Sequence, residues 1–203
     1  MRATLLLVGF VLLATIWLGP LPSQAKHSFA AHMTMHMGVV AVAAPLIALA
    51  FAGGIHDPVC RRPWLAAPIA ASMIELVVVW GWHAPVLHEA ARHDTWALIA
   101  EQGSFLLAGV LLWLAAVGGD REQQRVRAGA GVAALLFTSM HMTLLGALFA
   151  MANRPLFSHV PAAVDALSDQ HLGGAIMLIV GGTSYLTGGV WLTTRMLRVR
   201  SIP

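Results

Sequence analysis

HMTMHMGVVAVAAPLIALAFAG, running from His32 to Gly53, decides the class of this chain. It contains no Asp, Glu, Lys or Arg and is long enough to cross a bilayer as a helix, which takes about 20 apolar residues. It opens on His32, Met33, Met35, His36 and Met37, side chains that bind metals, at the place where a spanning helix meets the membrane surface.

Working outward, five more apolar segments read as spans: Thr4–Gly19, Trp64–Trp82, Trp96–Val117, Ala128–Met151 and Leu172–Thr194. Each must be helical, because a segment in lipid has to satisfy its backbone hydrogen bonds internally. The fold expected is an all-α, polytopic transmembrane bundle of about six helices. Composition agrees: of 203 residues 58% are hydrophobic and only 10% charged, where a soluble domain carries roughly a quarter. The mean hydropathy is +0.76. The isoelectric point near 10.0 is not a nucleic-acid signal, since excess Arg on such a protein reports topology. Cys60 is the single cysteine, so an internal disulfide and a two-thiolate metal site are excluded.

Arg2, a Leu-rich run and Ser23-Gln24-Ala25 also resemble a secretory signal with a small-residue cleavage site. Residues 1–25 are therefore an anchor or a signal, with a retained first helix favoured; 26–203 form the bundle, of five helices if the signal is cleaved. With the N-terminus inside, the cytoplasmic side holds Arg2, Arg61, Arg62, Arg121, Arg125, Arg127, Arg195, Arg198 and Arg200. Lys26, Arg92 and Arg154 lie outside. The positive-inside rule then places both termini in the cytoplasm of a bacterial inner-membrane protein. The Arg clusters are also suited to anionic lipid.

That topology sorts the histidines. His27, His32 and His36 fall at the outer end of the second span. His83 and His88 lie at the end of the third and just past it, and His93 precedes the fourth. His141 falls in the outer half of the fifth, and His159 and His171 precede the sixth. Only His56 is cytoplasmic. Glu89, Asp94, Glu101, Asp165 and Asp169 share the outer side.

His32 and His36 are four apart, so they stack on one helix face and could grip one ion. Met33 and Met37 form a second such pair about 100° around. Thioethers favour Cu(I), while imidazole accepts copper, zinc or iron. His83, in Trp80-Gly81-Trp82-His83-Ala84-Pro85, is a third ligand or a partner of one; the tryptophans suit an interfacial belt. Met140-His141-Met142 puts an ionisable ring inside a span, which marks function by default; only one of the two methionines can join it. His171 lies near helix 6, behind Asp169, whose carboxylate either caps that helix or orients a ligand. Glu101 is a second-shell or proton-handling carboxylate, or complements a helix dipole. Glu75, mid-span, needs a partner that Ser72 alone does not supply. The candidate metal set is His32, Met33, His36, Met37, His83, Met140, His141 and His171, backed by Glu101 and Asp169. No Walker motif, Cys-x-x-Cys or Gly-x-Ser-x-Gly is present, and no nucleophile–base pair can be read, so an enzyme is not expected.

The ordered set His32-Met33-x-x-His36, Trp80-x-Trp82-His83-x-Pro85, Glu101-x-x-x-Phe105-x-x-x-Gly109-x-x-x-Trp113, Met140-His141-Met142 with Leu145-Gly146, and Asp169-Gln170 with Gly174 resembles the CtaG-like cytochrome c oxidase assembly proteins of bacteria, the polytopic kind associated with caa-type oxidases. The likeness runs from His32 to the end of the sixth span. It implies a membrane factor that helps mature a haem–copper oxidase by handling copper, with oxidase subunits and a periplasmic copper donor as partners. The positions it carries over are His32, Met33, His36, His83, His141 and Asp169. Two other readings stay open: a b-type haem subunit with axial pairs such as His36 or His83 with His141, and a metal-free scaffold or proton-handling protein.

Overall fold

The computed structural model describes residues 1–62, 65, 67–157 and 165–200, with the side chains of Arg121, Gln123 and residues 198–200 left aside. Among them the ordered elements are helical. They are α1 (Arg2–Leu18), α2 (Leu21–Ala25), α3 (Phe29–Met37), a π-helical stretch (Gly38–Ala43), α4 (Ala44–Phe51), α5 (Pro58–Arg61), α6 (Pro68–Trp82), α7 (Pro85–His93), α8 (Thr95–Val117), α9 (Arg121–Ala150), α10 (Ala166–Ile176), a second π stretch (Met177–Gly181) and α11 (Gly182–Arg200).

Four continuous helices are long and apolar enough to cross a membrane: Phe29–Phe51, Thr95–Val117, Gln124–Ala150 and Ala166–Leu197. α6 and α7 would make a fifth span bent by 72°. α1 is apolar but has only 17 residues. Leu7, Val11, Val77, Leu107, Leu144 and Ile179 all point outward, an apolar exterior that a lipid-embedded bundle requires and a water-soluble one avoids. The protein is an all-α, multi-pass membrane bundle.

Five of the six expected spans fall where hydropathy put them, with shifted ends; the first, Thr4–Gly19, is the 17-residue α1, which is not among the helices long enough to cross. The third was to begin at Trp64, which lies outside the described residues; its helix starts at Pro68. The fifth was to begin at Ala128, but α9 starts at Arg121, because a helix continues past the apolar stretch wherever its polar turns can meet water. The sixth was to begin at Leu172, but α10 starts at Ala166, where Asp165 accepts the Leu167 N–H as an N-cap.

Helix contacts are tight where glycine removes a side chain. A Cβ on Gly109 of α8 would lie 2.9 Å from the Ala44 Cβ and 3.1 Å from the Val40 carbonyl oxygen. A Cβ on Gly174 would lie 2.4 Å from the Ala150 nitrogen and 2.7 Å from the Gly146 oxygen, so α9 and α10 meet backbone to backbone. α1 joins the same packing: Leu13 and Ile16 are buried, and Ile16 fills the notch at Gly38.

At the end of the bundle that carries Arg2, the connections are held by one carboxylate. Asp57 is fully buried and accepts the N–H groups of Gly53 (2.7 Å), Val59 (2.8 Å) and Gly119 (2.7 Å). Gly53 and Gly119 have φ of 62° and 90°, values that favour glycine. Arg2 donates to the Ala52 and Gly53 carbonyls, and Gln124 to those of Val117 and Gly119.

Candidate metal centre

The site is built where two four-residue periodicities face one another. On the second span His32, His36, Val40 and Ala44 follow one line; on α8 Glu101, Phe105 and Gly109 follow another. They meet rung by rung: His32 Nε2 lies 3.1 Å from Glu101 Oε1, the His36 and Phe105 ring centres are 3.8 Å apart, and Val40 and Ala44 close on Gly109.

α7 completes the uppermost rung. Ala84 has the extended backbone (ψ 136°) that a following proline imposes, and Pro85 then opens a new helix at its first turn. The turn brings His88 over His32, with ring centres 4.7 Å apart. One ligand atom each from His32, His88 and Glu101 lies within 4.8 Å of the other two, and all three residues are buried. Gln102 donates to Glu101 Oε2 at 3.1 Å, so the carboxylate is held at both oxygens. Neither ring nitrogen of His88 has a protein partner. Phe29 and Phe157 wall that ring at centroid distances of 5.6 and 4.2 Å. Arg92, one turn beyond His88, is buried and donates to the Lys26 carbonyl at 2.6 Å.

One turn deeper is a second rung. His36 and His83 have ring centres 5.3 Å apart, with Phe105 beneath His36 and Phe149 stacked on His83 at 5.5 Å. His83 Nδ1 sits 2.6 Å from the Val79 carbonyl oxygen. A carbonyl only accepts, so Nδ1 carries the proton and Nε2 presents a lone pair. That Nε2 and both nitrogens of His36 are buried without a partner. Trp82, beside His83, is tied to α8 through Ser104 at 2.9 Å.

The other candidates fall elsewhere. His141 is buried with both nitrogens unpartnered, against Phe137. Met140, the methionine named with it, is 61% exposed, while Met142 is buried at Gly181. Met140 is therefore corrected to a lipid-facing residue: residues two apart lie about 200° around a helix, so Met140 and Met142 cannot both turn inward. Met33 and Met37 line Gly173 and Gly181 of the last span. His171 Nε2 meets the Ala152 carbonyl at 2.8 Å, which spends that nitrogen on the chain turn after α9. His159 lies outside the described residues.

Asp169 neither caps its own helix nor orients an imidazole. It accepts from Ser28 Oγ (2.8 Å), the Phe29 N–H (2.6 Å) and the Ala30 N–H (3.4 Å), and so caps α3, the helix bearing His32. Asp165 is the cap of α10, and its bonds from Ser168 Oγ and the Leu167 N–H hold its carboxyl below the usual range. Glu101 moves from a supporting role into the group of three whose atoms could hold an ion. Glu75 finds its partner in Tyr185, whose hydroxyl hydrogen-bonds its Oε1 and also lies 3.2 Å from the Val40 carbonyl.

His88 is the residue that sequence reasoning left out of the site. Its signal was Pro85 as a helix opener rather than a terminator, followed by a run whose His88, Ala91 and Arg92 share the buried face.

Two imidazoles and a carboxylate on three separate helices can hold a divalent or monovalent transition metal. Comparison with curated proteins and with solved structures gives no match. Over residues 1–199 the chain matches the family described as cytochrome c oxidase caa3 assembly factor (Caa3_CtaG), and with nearly its whole length covered it belongs to that family.

Proposed function

We propose that this assembly factor binds a copper ion at His32, His88 and Glu101 and hands it to the haem–copper oxidase whose maturation it serves. The observation that carries the reading is the convergence of those three buried groups within 4.8 Å. Buried imidazole nitrogens without partners cost stability, so they persist where something else is meant to complete them. A cation bound there takes the place of the His32–Glu101 hydrogen bond.

The excess of Arg at the opposite end supports placing the histidine end outside the cytoplasm. Copper arriving there from a donor would be held by only three protein ligands. A fourth position then stays open to an incoming ligand of the apo-oxidase, the condition for transfer by exchange. The carboxylate supplies charge, and the absence of thiolate keeps the ion releasable.

The test is the metal content of untagged protein purified in detergent after copper-supplemented growth. About one copper per chain or more, with little iron or zinc, is expected, and the copper should fall away in a His32→Ala, His88→Ala double variant along with active oxidase. No copper after loading with either oxidation state would overturn the reading and leave scaffolding. Stoichiometric iron with a Soret band would replace it with b-type haem.

A further inference from the structure

We infer that the rung formed by His36 and His83 is a second, separate site, selective for a soft monovalent cation, here Cu(I), and held by two imidazole nitrogens. The inference rests on the copper reading of the outer triad for the identity of the cargo, but its geometry is independent of that triad.

Three features make the rung a site rather than packing. The hydrogen bond from His83 Nδ1 to the Val79 carbonyl, at 2.6 Å, fixes the ring and leaves Nε2 as a bare lone pair. This is the arrangement by which ligating histidines are oriented. His36 is wholly buried, and neither of its nitrogens bonds to protein, although its centre is only 5.3 Å from that of His83. A neutral imidazole carries one lone pair, so each ring can supply one donor to a shared ion. Finally, the surroundings are dry: Phe105, Phe149 and Val79 are all buried around the pair.

That donor set discriminates. Two neutral nitrogens without a carboxylate do little to offset the desolvation of a dication in an apolar layer. A monovalent d10 ion needs less charge compensation and accepts two ligands in a line. The outer rung differs by having Glu101, which suits either oxidation state. His32 and His36 sit one turn apart on α3, so an ion leaving the triad meets the inner pair next. The inner pair is therefore a holding position behind the exchange site, shielded from competing ligands.

The experiment is an anaerobic Cu(I) titration of the untagged full-length protein in detergent, read by bound equivalents and by copper K-edge X-ray absorption. Two equivalents per chain are expected, with an edge component of two-coordinate Cu(I) bound by nitrogen. His36→Leu and His83→Leu should each remove that component and one equivalent, while His88→Ala removes the other equivalent and leaves it. One or two equivalents without the two-coordinate component overturn the inner site and leave the outer reading standing, whereas a single equivalent that shows it and survives His88→Ala overturns the outer reading instead. No bound copper overturns both. If the leucine variants fail to fold, the edge of the unaltered protein decides alone.

Discussion

Asp57 and His36 are both fully buried, at opposite ends of one bundle, and they could hardly be treated more differently. Asp57 has three backbone N–H groups at 2.7 to 2.8 Å. His36 has no protein partner at either nitrogen. A polar group that folding has fully satisfied is architecture, because its energy is already spent in the chain itself. A buried polar group left open carries a standing cost that a ligand or an ordered water removes. On the copper reading proposed above, the Arg-bearing end is the fixed frame and the histidine end is the working part.

The sharpest way to break the contrast is Asp57→Ala. It orphans the N–H groups of Gly53, Val59 and Gly119, and each buried unpaired donor costs ~1–3 kcal/mol. A stability loss of about 3 kcal/mol or more is expected from thermal unfolding in detergent, with copper per folded chain unchanged. Lost copper at nearly full stability would mean that the frame also belongs to the site. Next in size is Glu101→Gln, which keeps a hydrogen-bonding oxygen near His32 but removes the charge. Copper affinity should drop by roughly tenfold or more, as a competitive chelator titration would record. Equal affinity in the variant would return Glu101 to a structural role. The smallest effect belongs to Met140→Leu, a change on the lipid face. Stability should stay within about 0.5 kcal/mol and copper content should be unaltered; a clear loss of copper would restore Met140 to the ligand set.

Much of the frame was legible in the sequence. Hydropathy marks the spans, and the His32–His36 spacing marks a helix face, because both signals are local. Glu101, Phe105 and Gly109 could also be seen to share a face. What could not be seen is which face meets which: the His32–Glu101 contact joins residues 69 apart, and the Asp169 cap on α3 joins residues 140 apart. Asp169 at the start of a helix looks like a cap for that helix, and only the packing of α3 against α10 redirects it. His88 was missed for a different reason. The charged, proline-led run from Pro85 to His93 does not read as apolar by itself, although its buried side carries His88. Met140 was misplaced because a tripeptide such as Met-His-Met cannot say which of its flanks turns inward.

The stretch Gly38–Ala43 ties the two ends together. An ordinary α-helix overshoots a full turn by ~40° every four residues, so residues four apart drift steadily around its axis. Here the Ala44 N–H pairs with the Val39 carbonyl, five residues back, and these slower turns undo the drift. The winding thereby keeps Val40 and Ala44 in phase with His32 and His36, all toward α8. Rewound as ordinary α-helix, the same six residues would leave the span just as apolar. They would nevertheless swing Ala44–Phe51 by ~100° against the histidines, the turn of the one residue that the wider winding absorbs, and take it out of the notch at Gly109. The histidine-bearing tip and the shaft below it are geared to each other by six residues, Gly38–Ala43, none of which has a polar side chain.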